Sequence, residues 1–392
     1  MRLRELDSLR GLAALAVSFG HVLMLVPVGV AGTALMLLAF TPLHGLWDGH
    51  RAVLFFFVLS GFVLAVPFFC GTVSPIAFVV KRAVRIYPAY WIAVVVSIGA
   101  FWLFGSPHLN LYELANFASL ISSHTAQKYD LVVWSLVHEM RLSIILPLLM
   151  VPIVRYRSRW VLLCASPLLV AGFYFGSSGI ETAYYGWFFI LGAVAAKHAD
   201  RMIAYVRAMT VRRATLWFLV VIMVYGALPT SYATDGQPFP EMEAAVGFST
   251  IGLMVFGLAR PGLSRVLLSP VLRFVGRLAY SYYLLHLIWI GLVARLLAGT
   301  PGIVIAILGI AGSLALAWLA YRWVEVPSIR LGQAVYVRIS NRLKPLAHVP
   351  PASGVEEPAR SRHVPEHAIV GLLLSPALVL HLQAPRSSVG TT

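Results

Sequence analysis

Arg10 and His21 stand eleven residues apart in RELDSLRGLAALAVSFGHVLM, a run otherwise dominated by Leu, Ala, Val and Phe. A helix turns about 100° per residue, so eleven steps return both side chains to one face, about 16 Å apart along the axis. Further on, His138, Glu139 and Arg141 fall in a second apolar stretch and His286 in a third. Ionisable groups at membrane depth cost about 2.5–3.5 kcal/mol each on insertion scales, so each is a candidate for substrate binding or proton handling. Each also has a plainer use. A membrane histidine can bond a carbonyl of the next helix, and Glu139 has Arg141 two positions away, although on a different helix face. His138 reads as structural or specific to a subfamily. Sharing a face with Arg10 favours function for His21.

A second constellation is KRAVRIYPAYW, residues 81–91. Arg82 and Arg85 are i,i+3 on one helix face, followed by an interfacial belt of Tyr87, Tyr90 and Trp91. Two guanidiniums so placed either fix topology, as most such clusters do, or present paired donors to phosphate oxygens at the mouth of a cavity.

These side chains need elements to carry them through lipid. The chain has 392 residues, 59% hydrophobic and 11% charged, against about 25% charged in soluble domains. The composition predicts an all-α, polytopic helical bundle. Apolar stretches at 8–28, 51–71, 84–104, 131–154, 160–176, 181–197, 214–230, 243–260, 274–297 and 302–324 approach the ~20 residues a crossing needs. Basic residues gather in alternate connections, from Arg2 and Arg4 to the run Arg322–Lys344. The positive-inside rule therefore puts both termini in the cytoplasm with ten spans. The net charge of +15 follows from that topology, so the expected partner is the bilayer and not nucleic acid. Cys70 and Cys164 both lie in apolar runs, which predicts no disulfide framework, and the histidines lack metal-ligand spacing. Residues 1–330 form the membrane domain in this reading, and 331–392 a Pro/Arg-rich cytoplasmic tail. Within the tail, the short Pro-broken segment 368–382 lies at the interface.

On these depths, His21 sits about 16 Å in from the cytoplasmic side, Glu139 about 12 Å below the outer surface, and His286 about 18 Å deep. Three titratable groups on three helices thus fall in one layer. Buried Arg, His and Glu also mark proton and substrate paths in secondary transporters. That reading calls for paired broken helices in two repeated halves, and no repeat is visible.

Six segments together resemble the membrane acyltransferase-3 family of bacterial O-acyltransferases, over about residues 3–330. They are the Arg10-x10-His21 element, FFFVLSGFVL (55–64), KRAVRIYPAYW with Arg82 and Arg85, WSLVHEMRLSIILPLL (134–149) with Glu139, LAYSYYLLH (278–286) and EVPSIR (325–330). One departure is that Met140, Arg141, Leu142 and Ser143 follow Glu139, where many members have an aromatic pair, which bears on the acceptor. The resemblance implies transfer of an acyl group, often acetyl, from cytoplasmic acyl-coenzyme A to a hydroxyl of a glycan or glycosylated small molecule. It implies a multi-pass protein of the bacterial inner membrane, with acetyl-CoA as co-substrate and no permanently bound cofactor. It makes His21 the general base, with Glu139 as its orienting partner or an acceptor ligand. Arg82, Arg85 and Arg10 become donor anchors. Trp134, Ser135, Tyr283 and His286 become acceptor or structural residues. An acyl-histidine intermediate on His21 is the mechanistic variant.

Overall fold

The computed structural model describes residues 3–26, 38, 41–71, 73–103, 110–120, 130–175, 181–227 and 240–343. They form helices α1 (Arg4–Leu25), α2 (Gly49–Phe69), α3 (Pro75–Leu103), α4 (Leu111–Ser119), α5 (Val133–Arg155), α6 (Ser158–Phe175), α7 (Glu181–Lys197) and α8 (Ala199–Ala208). Then come α9 (Val211–Ala227), α10 (Pro240–Ala259), α11 (Pro261–Leu267), α12 (Pro270–Leu296), α13 (Gly302–Ala320) and α14 (Val326–Leu343). A 3₁₀ turn, Pro42–Leu46, precedes α2, and a π-helical turn, Tyr321–Glu325, joins α13 to α14. Among the described residues there is no strand.

Seven stretches are long and apolar enough to cross a membrane: α1, α2, α3 as far as Ala100, α5, α10, α12, and the helix running from α13 through α14 to Arg342. The expected crossings at 160–176, 181–197 and 214–230 fall on α6, α7 and α9, which are shorter, at 18, 17 and 17 residues.

Contacts give the relative directions. Gly11 meets Gly276 and His21 meets His286, each ten residues further on, so α1 and α12 run parallel. His138 meets Thr182 and Lys197 reaches the carbonyl of Ile153, so α5 and α7 are parallel too. By contrast Ser158 meets His198 while Gly172 meets Tyr184, which makes α6 and α7 antiparallel. The pairs Phe218 with Phe256 and Val221 with Gly252 do the same for α9 and α10.

Two glycine contacts set the closest approaches. A Cβ on Gly276 would lie 2.4 Å from the Asp7 carbonyl oxygen, and one on Gly61 would lie 1.9 Å from that of Phe189. Only a residue without a side chain lets these backbones touch. The first contact clamps α1 onto α12, and the second clamps α2 onto α7.

The structure departs from the sequence reading at two boundaries. Helix α3 begins at Pro75, well before the expected 84, because charged Lys81, Arg82 and Arg85 depress hydropathy without breaking the helix. The arginines therefore sit within α3 and not in a connection ahead of it. Residues 331–343, expected as tail, extend α14, where Tyr336 accepts the Lys81 ammonium over its ring at 5.0 Å. The proposed interfacial segment 368–382 lies outside the described residues.

Candidate active site

A cavity with about 60 Å³ of open interior lies between α1, α2, α3, α5 and α12. Its polar lining is Arg10 from α1, Ser60 from α2, Arg82 and Arg85 from α3, Ser135 and Glu139 from α5, and Tyr280 and Tyr283 from α12. Val53, Phe56, Phe57, Ile86 and Ala279 complete the wall. Three of these five helices, separate in sequence, thus deliver Arg10, Arg82, Arg85 and Glu139 to one chamber. With three guanidiniums and one carboxylate, its lining carries a formal excess of two positive charges.

The charges are not equally engaged. Arg82 closes an ion pair with Glu139, and its Nε donates to Ser143 Oγ at 3.3 Å. Ser60 Oγ donates to the same Glu139 oxygen at 2.9 Å, while Ser143 Oγ donates to the Glu139 carbonyl at 2.7 Å. Among the described residues, neither Arg10 nor Arg85 donates a hydrogen bond or closes an ion pair. Two guanidiniums that face one chamber and pair with no carboxylate among the described residues have the chemistry to receive an anion.

Above the chamber stands a pair of imidazoles. His21 Nδ1 lies 3.0 Å from His286 Nε2, with ring centroids 5.2 Å apart and planes inclined by 20°. On its other side, His286 Nδ1 lies 2.8 Å from the Tyr283 carbonyl and 3.1 Å from that of Tyr282. A carbonyl only accepts, so Nδ1 of His286 carries the proton. With both rings neutral, His286 Nε2 is then an acceptor and His21 must donate from its own Nδ1. That leaves the lone pair of His21 on Nε2, which makes no hydrogen bond among the described residues. The backbone of α12 thereby dictates, through His286, which nitrogen of His21 is basic.

Tyr283 joins the two parts. Its ring centroid lies 5.9 Å from that of His286, it packs edge-on to Phe56 at 5.4 Å, and its hydroxyl sits 2.7 Å from Ser135 Oγ. Tyr283, Ser135 and Phe56 line the chamber, whereas His21 and His286 do not.

The sequence reading placed His21, Glu139 and His286 in one layer, and the structure joins only the two histidines. Glu139 is bonded to Arg82 and Ser60, so it is not the partner of a His21 nitrogen. Nor does it pair with Arg141, which donates to Thr182 Oγ1 at 2.9 Å. His138 meets the same hydroxyl at 2.8 Å and Glu181 at 3.2 Å, in keeping with a structural role. Trp134 packs against His138 and Tyr185, away from the chamber wall.

Sequence reasoning missed Ser60, Ser143 and Tyr280. A serine inside the apolar run FFFVLSGFVL was the available signal for the first. It also missed a buried ionic cluster at the start of α2. There Asp48 caps the helix, bonding the His50 and Arg51 amides, and holds the fully buried Arg51 guanidinium at 2.8 Å. His50 meets the fully buried Glu243 at 2.6 Å. Arg51 also donates to the carbonyls of Tyr225 and Gly226, which ties α2 to α9.

No curated protein and no solved structure matches this chain. A family model does, that of the acyltransferase domain of the acyltransferase-3 family, over residues 3–322. The match takes in Arg10, His21, Arg82, Arg85, Glu139 and His286 and stops just short of the EVPSIR segment. It spans far more than half of the chain, and the helices that carry the chamber and the histidine pair all lie within it. This membrane protein of many helices therefore belongs to the acyltransferase-3 family, whose members are acyltransferases.

Proposed function

We propose that this protein is an O-acyltransferase of the bacterial inner membrane. It moves an acyl group, acetyl in the simplest case, from cytoplasmic acyl-coenzyme A to a hydroxyl of an exported glycan or glycosylated metabolite. In this reading all ten apolar helices cross, with both termini cytoplasmic, and the alternating directions of the short helices support that count. No cofactor is held between turnovers. The observation that carries the proposal is a basic imidazole nitrogen of dictated tautomer beside a chamber with two guanidiniums that have no ion-pair partner among the described residues.

The chemistry follows from those groups. Arg10 and Arg85 hold the phosphates of coenzyme A at the chamber mouth, while Arg82, already bound to Glu139, shapes the wall. The long flexible arm carries the thioester inward past Phe56 and Tyr283 towards His21, about 16 Å along α1 from Arg10. An alcohol is a poor nucleophile near neutral pH. His21 Nε2 removes its proton as the oxygen attacks the thioester carbonyl, and His286 Nε2 accepts from His21 Nδ1 throughout. The tetrahedral intermediate then collapses with C–S cleavage, and the thiolate leaves with the proton held by His21. One ester and one free thiol result.

Family membership gives the transporter reading no support. The discriminating experiment mixes purified protein, acetyl-CoA and a crude glycan acceptor. Acceptor-dependent release of free coenzyme A thiol is the expected result, and movement of solute without thiol release would overturn the proposal. A rapid quench with labelled donor and no acceptor tests the acyl-histidine variant, which requires labelled enzyme.

A further inference from the structure

A larger groove lies on the opposite side of α12 from the chamber. It holds about 450 Å³ and is lined by Phe274 and Arg277 of α12, Trp318 of α13, Arg322 and Trp323 of the π turn, and Arg330 of α14. Leu278 faces this groove while the next two residues, Ala279 and Tyr280, face the chamber. No acidic side chain lines it. Arg277, Arg322 and Arg330 are exposed, and none makes a hydrogen bond or ion pair among the described residues. Arg322 lies over the Trp323 ring at 5.9 Å.

Three observations say what belongs there. Arg277 follows Gly276, which is level with Asp7 and Gly11 near the start of α1, so the groove lies at a membrane boundary and not at mid-depth. Large aromatics at such a boundary are left bare: Trp318 is 44% exposed and Trp323 71%. Finally, α13 carries no charged residue and leaves Ile303, Val304, Ile307, Leu308 and Leu319 exposed, a surface suited to lipid chains. A ligand that satisfies all three has an anionic head for the guanidiniums and hydrocarbon tails for the face of α13. The π turn, a geometry frequent at functional sites, interrupts the α-helix at this point and carries Arg322 and Trp323 into the groove.

We infer that the groove is a binding site for an anionic phospholipid, whose phosphate is held by Arg277, Arg322 and Arg330 and whose chains lie along α13. The site is separate from the chamber and does not depend on the reaction performed there.

Native mass spectrometry of the full-length protein in detergent tests this with phosphatidylglycerol and phosphatidylcholine as probes. Phosphatidylglycerol should be retained in preference to phosphatidylcholine. Millimolar coenzyme A or inorganic phosphate should not displace it. The combined variant Arg277→Gln, Arg322→Gln and Arg330→Gln should lose affinity by roughly fivefold per arginine, on the order of 100-fold in all. Equal retention of the two lipids, unchanged affinity in the variant, or displacement by the soluble phosphates would overturn the inference, the last by making the groove a donor site. Should the variant not fold, a photoreactive phosphatidylglycerol on the wild type decides: adducts on 274–277 and 318–330 support the site, and adducts elsewhere refute it.

Discussion

Replacing His286 offers the sharpest view of how the imidazole pair works. His286 is fully buried, but its ring bonds only the Tyr282 and Tyr283 carbonyls and His21. Within a helix those carbonyls already accept from the amides four residues on, and Ser313 bonds the His286 backbone, not the ring. His286→Leu therefore leaves one group stranded, the Nδ1–H of His21. A buried donor without a partner costs about 1–3 kcal/mol, which lowers the population of the productive tautomer by roughly 5- to 150-fold at 1.36 kcal/mol per decade. Single-turnover acyl transfer should slow by that factor, a range centred below the ~10²–10⁴-fold expected on losing the base itself. His286→Gln supplies an amide oxygen as a substitute acceptor and should recover most of the rate. The expected order is wild type, His286→Gln, His286→Leu, His21→Ala. A leucine variant within twofold of wild type, or a glutamine variant no better than leucine, would refute the tautomer argument.

Other outcomes follow from the same geometry. Arg10→Gln or Arg85→Gln should weaken coenzyme A binding by roughly 10- to 100-fold, the worth of a charge-assisted bond, while kcat at saturation changes by less than about threefold; the reverse split would remove them from donor anchoring. Gly276→Ala forces a Cβ against the Asp7 backbone and should cost about 1–3 kcal/mol of stability as well as activity, whereas Gly262→Ala, with open space around it, is the control; equal melting behaviour of the two would contradict the clamp. Asp130, ahead of α5, is buried, and burial pushes its carboxyl up to about 7 from an ordinary 3.8. The folded state thus binds more protons than the unfolded between about pH 4 and 7, so stability falls as pH rises through that window and levels off above it. Asp130→Asn keeps the oxygen that accepts from the Val132 amide and should flatten the thermal profile and raise the melting point at pH 8; parallel profiles would contradict this.

Much of the site could be read from residue order, because the depth of a side chain in a spanning helix is a matter of counting. Eleven residues from Arg10 fix His21, and the parity of the spans puts His286 at a matching level. What counting cannot supply is which helices touch. The partnership of His21 with His286 depends on the Gly11–Gly276 contact ten residues below, and two glycines in apolar runs carry no periodic signal. Depth and the family resemblance together pair Glu139 with His21 or with the acceptor, and neither carries information on which helices touch. The competing partner, Arg82, was hidden because its charge and those of its neighbours placed the start of α3 too late. The ionic cluster of Asp48, His50, Arg51 and Glu243 was missed for a related reason: charged residues at a span end carry no sign of their partners, yet here Asp48, Arg51 and Glu243 are buried where α2, α9 and α10 meet.

The central claim is that His21 is the base that deprotonates the acceptor alcohol. It is tested most directly by transfer of labelled acetyl from acetyl-CoA to the acceptor by purified His21→Ala protein, with melting temperature and coenzyme A affinity measured on the same sample. The account predicts transfer reduced by at least about 100-fold with both other quantities unchanged. Transfer within a few-fold of wild type would contradict it.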